Sequence, residues 1–134
     1  MKWVFFFSLF ILLAGCKQNP KDVSMELIPV RNTEYYGYIN HKGEWVINQQ
    51  FKSAFAFSEG LAIVQTSEDK YGFINTRGEY VIQPIYKNVK AFSEGLAAVV
   101  RENSMIEYIN KKGEVVISLG PEIFGAGSFS GGLA

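Results

Sequence analysis

The sequence predicts an all-β protein, an array of about three copies of one 35-residue unit, and three observations carry that reading. The cluster Tyr36, Gly37, Tyr38, Ile39, Asn40 returns as Tyr71, Gly72, Phe73, Ile74, Asn75 and again as Ile106, Glu107, Tyr108, Ile109, Asn110, each time 35 residues on. Aromatic residues make up 15% of the chain and Gly contributes 13 residues, a balance that suits short strands and tight turns rather than long helices. The apolar stretches between the glycines are short and rich in aromatic and β-branched residues, as strands are. At 134 residues the chain has room for one compact domain and not for a second.

Residues 1–15 read as a signal peptide. Lys2 gives a positive start, residues 3–13 form an apolar run of 11, and the small residues Ala14 and Gly15 follow. A spanning helix needs roughly 18 or more apolar residues, so the run is too short to stay behind as an anchor. The stretch Leu13, Ala14, Gly15, Cys16 is similar to the lipobox of bacterial lipoproteins, and it holds the sole Cys of the chain, which has no internal disulfide partner. That resemblance implies a diacylglycerol thioether on Cys16 and an acylated amine after cleavage, which together suffice for stable membrane anchoring. Lys17 stands where Asp would suggest inner-membrane retention, so the outer membrane is favoured, with the periplasmic or surface side left open. Residues 16–24 are polar and include Pro20, and they read as a tether.

The β-repeat domain is expected over 25–134, with units at about 34–68, 69–103 and 104–134, the last incomplete. Each unit opens with a strand, then Asn-x-x-Gly, then a second strand, which is a hairpin pattern. Asn40 with Gly43, Asn75 with Gly78 and Asn110 with Gly113 suit a type I turn whose last residue takes positive φ and forms a bulge. The pairs Val46 with Ile47, Val81 with Ile82 and Val116 with Ile117 open the second strands. A loop is expected to tuck in Phe51, Tyr86 or Phe124. A Phe-Ser-Glu-Gly turn then leads to a third strand at 61–64 and 96–100. Counting back from Tyr36 by ten residues, the interval between Leu61 and Tyr71, lands on Glu26, so residues 25–30 offer the first such strand. Phe57-Ser-Glu-Gly-Leu-Ala62 recurs at Phe92, and at Phe129 with Gly131 in place of Glu; the last step is longer by two residues, placed at 118–122.

These motifs resemble the WG-repeat family, whose units run roughly W-G-[YF]-I-[DN]-x-x-G-x-x-V-I-x-P-x-[YF] and later F-S-E-G-L-A. The resemblance covers residues 34–134. It departs at the namesake Trp, which is Tyr at 36 and 71 and Ile at 106, and at Glu107, which replaces the paired Gly, so the third unit reads as degenerate or terminal. Gly37, Gly43, Gly60, Gly72, Gly78, Gly95, Gly113 and Gly132 are the structural glycines of the repeat. One hairpin with one extra strand cannot bury its apolar face alone, so neighbouring units must stack. Three strands per unit fall short of the four in a propeller blade, which favours an open twisted array over a propeller-like arc. Because the last unit stops where its third strand should begin, the chain reads as a fragment of a longer protein or as one completed by a partner strand.

Little in the sequence suggests catalysis. The single His, His41, sits in a turn with no Cys or carboxylate at metal-ligand spacing, so no metal site and no Ser-His-Asp set is expected. There is no Gly-rich phosphate loop and no cofactor is expected. Glu59 and Glu94 recur because their turn recurs, not as an acid and base pair, which would need two unlike environments. Ser58 and Ser93 are expected to bond local backbone. Basic and acidic residues number 13 each, and losing Lys2 with the leader leaves the mature chain one charge negative, which disfavours a nucleic-acid partner.

Lys42, Arg77 and Lys112 each precede the turn glycine and form a candidate binding row, to be weighed against a solvated edge that resists strand pairing. Tyr35 lies outside the motif and is a candidate for stacking on sugar. The expected function is a membrane-anchored, non-enzymatic module that binds a protein or glycan at the cell envelope. The alternatives are a structural envelope spacer, or a fragment of a larger enzyme or receptor.

Overall fold

The computed structural model describes residues 27–120 and residue 127. The expected signal peptide, Cys16, the tether, Phe124 and Gly132 lie outside the described residues. Those residues form eleven strands and no helix. The strands are β1 (Ile28–Arg31), β2 (Tyr36–Ile39), β3 (Trp45–Phe51), β4 (Ser53–Ala54), β5 (Ala62–Gln65), β6 (Tyr71–Ile74), β7 (Tyr80–Tyr86), β8 (Asn88–Val89), β9 (Leu96–Val100), β10 (Ile106–Asn110) and β11 (Val115–Leu119). They make three antiparallel meander sheets, β1-β2-β3, β4-β5-β6-β7 and β8-β9-β10-β11.

Each sheet after the first combines strands from two sequence units. β3 leaves the first sheet at Phe51 and, after Lys52 alone, becomes β4 of the second; β7 and β8 repeat the crossing around Lys87. The sequence reading found a hairpin and one strand per unit; β4 and β8 are additional, two residues long and too short to show a period. With them the second and third sheets have four strands each, so the shortage of strands that counted against a propeller-like arrangement disappears. The hairpin turns are as expected: Gly43, Gly78 and Gly113 have φ of 79°, 79° and 81°, and the pairing slips by one residue beside each turn.

Two details of the expectation are corrected. Phe51 and Tyr86 are not loop residues but the last residues of β3 and β7, paired with Tyr36 and Tyr71. The position opposite Ile106 is taken by Leu119, the last residue of β11. The first strand is also one residue out of step. Ile28 pairs with Ile39 as Ala62 pairs with Ile74, which puts Leu27, not Glu26, in the place of Leu61. The connection from β1 to β2 is one residue shorter than the one from β5 to β6, so a ten-residue interval does not carry over.

The stacking follows from side-chain alternation along β5 and β9. Ala62, Val64 and Ile74 point to one side of the second sheet and pack with Tyr38, Ile47 and Phe51 of the first, while Ile63, Phe73, Ile82 and Tyr86 point to the other and pack with Ala97, Val99 and Ile109 of the third. The middle sheet is buried on both faces, and most of its central side chains are excluded from solvent. Burial of a Val, Leu, Ile or Phe side chain stabilises by about 1.5–3 kcal/mol, so these two interfaces provide the main driving force for stacking. Phe57 and Phe92, from the Phe-Ser-Glu-Gly turns, lie against Tyr38 and Phe73 with ring centroids 5.1 and 4.9 Å apart. No buried side-chain polar atom lacks a partner among the described residues.

Candidate interaction surfaces

Polar and charged residues gather at three kinds of place: the hairpin turns, the Phe-Ser-Glu-Gly turns, and the junction where loops of neighbouring sheets meet. In the first hairpin turn the Asn40 side-chain oxygen accepts from the backbone N–H of Lys42 at 2.9 Å and of Glu44 at 3.0 Å. Its amide nitrogen donates to the Glu44 carboxylate at 2.9 Å. Asn75 with Glu79 and Asn110 with Glu114 repeat all three bonds. The third unit, degenerate in its strand, keeps this turn intact.

Lys42, Arg77 and Lys112 are all exposed on these turns. The sequence reading missed that each has a carboxylate two residues on, Glu44, Glu79 or Glu114, and Arg77 is ion-paired with Glu79 at 3.3 Å. The row therefore alternates in sign. The recurrence of Gly-Glu at one step was the available signal. Also missed was an apolar companion row: Val46, Val81 and Val116 are 48%, 42% and 55% exposed on β3, β7 and β11, which form edges of their sheets.

The Phe-Ser-Glu-Gly turns are two-residue hairpins. Ser58 and Leu61 exchange backbone hydrogen bonds of 2.8 and 3.1 Å, and the central residues have positive φ, 52° at Glu59 and 85° at Gly60. Ser93 to Leu96 repeats this, with 51° at Glu94 and 80° at Gly95. Left-handed backbone costs an L-residue about 1–2 kcal/mol, which Gly avoids and Glu59 does not. Glu59 is held instead by long-range partners: its carboxylate accepts from the Gly95 N–H at 2.9 Å, and Lys111 donates to its carbonyl at 2.9 Å. The expectation of a local bond for Ser58 is corrected, since its hydroxyl donates to the Phe92 carbonyl at 2.8 Å, in the next unit. These turns tie neighbouring units together. Glu59 is occupied in that role, and Glu94 also has a partner. His41 is exposed and engaged, and no group of three His, Cys, Asp or Glu gathers among the described residues.

Gly37 and Gly72 are fixed by the strand opposite. Tyr36 pairs with Phe51 and Tyr38 with Ile47, so residues 48–50 all lie opposite Gly37. A Cβ on Gly37 would stand 2.5 Å from the Ile47 carbonyl oxygen, and one on Gly72 would stand 2.7 Å from that of Ile82. β10 pairs with β11 without this bulge, and there Glu107 has room for a side chain. Glu107 accepts from Arg101 at 2.6 Å, and the Arg101 guanidinium lies 5.7 Å from the centre of the Tyr86 ring. The hydrogen bond to Glu107 raises the Arg101 pKa, and burial raises that of Tyr86.

At the first junction, Arg31, Glu34, Tyr35, Lys52 and Ser67 line an open cavity of about 360 Å³. Tyr35 is 41% exposed, as expected of a residue outside the repeat. Lys52 is ion-paired with Asp69. At the second junction the residues in the places of Tyr35 and Ser67 are Lys70 and Glu102, and these are ion-paired. No helix of the described residues is long and apolar enough to cross a membrane.

Comparison with known proteins agrees with the repeat geometry. A search of curated proteins finds no match. The family profile described as WG containing repeat matches residues 36–70 and 71–104, which together make up just over half of the chain. Both matches begin at the first residue of a hairpin, Tyr36 or Tyr71, the first spanning one full step of the array and the second stopping one residue short of it. The chain belongs to the WG-containing repeat family.

Proposed function

We propose that the protein is a lipid-anchored, non-enzymatic interaction module of the bacterial cell envelope, held in the membrane, with the outer membrane favoured, through Cys16. In this reading its repeats present a rigid, periodic surface to an envelope protein or glycan. The observation that carries it is the hairpin turn. Three copies at one sequence step each expose a cation at 42, 77 or 112, on a backbone fixed by the same Asn and Glu side chains. A surface repeated on a stiff support suits a repetitive or extended partner, because several weak contacts combine without a large ordering cost.

The test is retention of the full chain on isolated envelope fractions. Replacing Lys42, Arg77 and Lys112 together by Glu is expected to weaken retention about tenfold or more in a background where Cys16→Ser has removed the lipid. A protein that only spaces an assembly would tolerate the reversal, and unchanged retention would exclude the binding row. With the row intact, Cys16→Ser is expected to lower the share of the chain in the membrane pellet, leaving the row-dependent part that the triple reversal then removes.

A further inference from the structure

We infer that the cavity at the first junction binds one uncharged sugar ring of a glycan. The inference rests on the interaction-module reading and names a ligand class for a surface outside the hairpin row. Its volume of about 360 Å³ lies at the lower end of the range of small-ligand sites, a size for a ring rather than a chain. Its walls are set in advance. The Asn32 side chain accepts from the backbone N–H of Glu34 and of Tyr35, both at 3.1 Å, and so fixes the loop that presents Tyr35. The Lys52 N–H donates to the Gln65 carbonyl at 2.9 Å, which pins the crossing between the two sheets.

The chemistry of the lining selects the ligand. Among the described residues Tyr35 is the one aromatic lining the cavity, and its ring can take the C–H face of a pyranose. Arg31 and Lys52 donate, Glu34 accepts, and Ser67 does both, which matches a ring of hydroxyls that do both. Two cations, Arg31 and Lys52, meet two carboxylates, Glu34 and the Asp69 paired with Lys52, so the charges balance. With Lys52 paired to Asp69 and only Arg31 facing Glu34, an anionic ligand would find little excess of positive charge there.

The second junction also holds an open cavity of about 360 Å³, but it is lined by Ile85, Arg101, Glu102 and Asn103, with no aromatic among the described lining residues. Lys70 and Glu102 stand where Tyr35 and Ser67 stand, and their ion pair joins the two loops. That difference supplies a reciprocal experiment on the full chain, with the β-1,4-linked tetramer of N-acetylglucosamine as neutral probe and tetragalacturonate as acidic probe, read by calorimetry. The wild type is expected to bind the neutral tetramer at one site and the acidic one about tenfold more weakly. Tyr35→Lys with Ser67→Glu, which copies the second junction into the first, is expected to abolish binding and leave the thermal midpoint in place. Lys70→Tyr with Glu102→Ser is expected to raise the stoichiometry from one towards two.

Tighter binding of tetragalacturonate, or full affinity in the Tyr35→Lys, Ser67→Glu variant, would overturn the inference. If neither tetramer binds while envelope retention still depends on Lys42, Arg77 and Lys112, the cavity assignment fails and the module reading stands. If the neutral tetramer binds and is cleaved, the site stands and the non-enzymatic reading fails.

Discussion

The second and third hairpins carry the same turn, yet at the second position of the opening strand one has Gly72 and the other Glu107, and the strand opposite differs with it. β7 runs for seven residues and places 83–85, including Pro84, opposite Gly72. β11 runs for five and pairs residue for residue past Glu107. A bulge brings carbonyl and backbone nitrogen into the space of a side chain, so the bulged hairpins need Gly. It also tolerates Pro84, whose missing N–H is not needed for the ladder. Without the bulge, the same position supports a carboxylate bound to Arg101. The apparent degeneracy of the third unit is therefore a matched pair of changes on two strands.

The largest expected effect tests that match. Gly72→Ala puts a methyl group 2.7–2.9 Å from the backbone of Ile82 and Pro84, neither of which can rotate away, and is expected to cost about 3 kcal/mol in urea unfolding. Glu107→Ala leaves the strand intact and gives up one partly buried ion pair, a loss of about 1 kcal/mol. Similar costs at the two sites would mean that the bulge does not set the requirement for Gly.

Where the hairpins agree, equal losses are expected. Asn75→Ala and Asn110→Ala each remove the acceptor for two N–H groups and the donor to a Glu, worth about 2 kcal/mol in all. A loss at Asn110 much below that at Asn75 would show the third unit to be looser than its geometry implies. A smaller contrast lies in the turn glycines. Gly43→Ala meets nothing within 4 Å and should cost about 1 kcal/mol for its left-handed backbone alone. Gly78→Ala adds a 3.1 Å contact with the Ile47 side chain of the preceding sheet, and is expected to cost some tenths of a kcal/mol more.

What could be read in the sequence follows from what repeats. The hairpins, the positive φ of Gly43 and its equivalents and the third strands β5 and β9 all depend on residue types recurring at one step, and each is where the period places it to within a residue. β4 and β8 were not legible, because a two-residue strand has no alternation and is created by the crossing at Lys52 or Lys87. The register of β1 was missed because a loop can lose a residue without changing the strands around it. Of the candidate surfaces, the cation row and the exposed Tyr35 could be read directly. The cavity could not, since Arg31, Lys52 and Ser67 are far apart in sequence and meet only when two sheets stack.

The last contrast concerns a hydroxyl that the first and third units have and the second lacks. The Tyr38 hydroxyl donates to the Phe55 carbonyl at 2.7 Å, and the Tyr108 hydroxyl donates to that of Gly127 at 3.0 Å, with Gly127 at the position of Phe55 two units on. The second unit has Phe73 there, buried against Phe92. Burial drives the Tyr38 pKa upward from the ordinary value near 10, and its hydrogen bond to Phe55 offsets part of that rise. Its folded pKa lies above its unfolded one, so its contribution is complete below pH 10 and is lost as pH rises beyond that, by about 1.4 kcal/mol per pH unit. Tyr38→Phe is expected to cost about 1 kcal/mol at pH 7 and to make the decline of stability above pH 10 shallower. Phe73→Tyr, if the Lys90 carbonyl serves it as that of Phe55 serves Tyr38, should change stability at pH 7 by no more than about 0.5 kcal/mol and steepen the alkaline decline. A cost of several kcal/mol for Phe73→Tyr would show that the second junction packs too tightly for a hydroxyl, and that the units are less alike in their cores than in their turns.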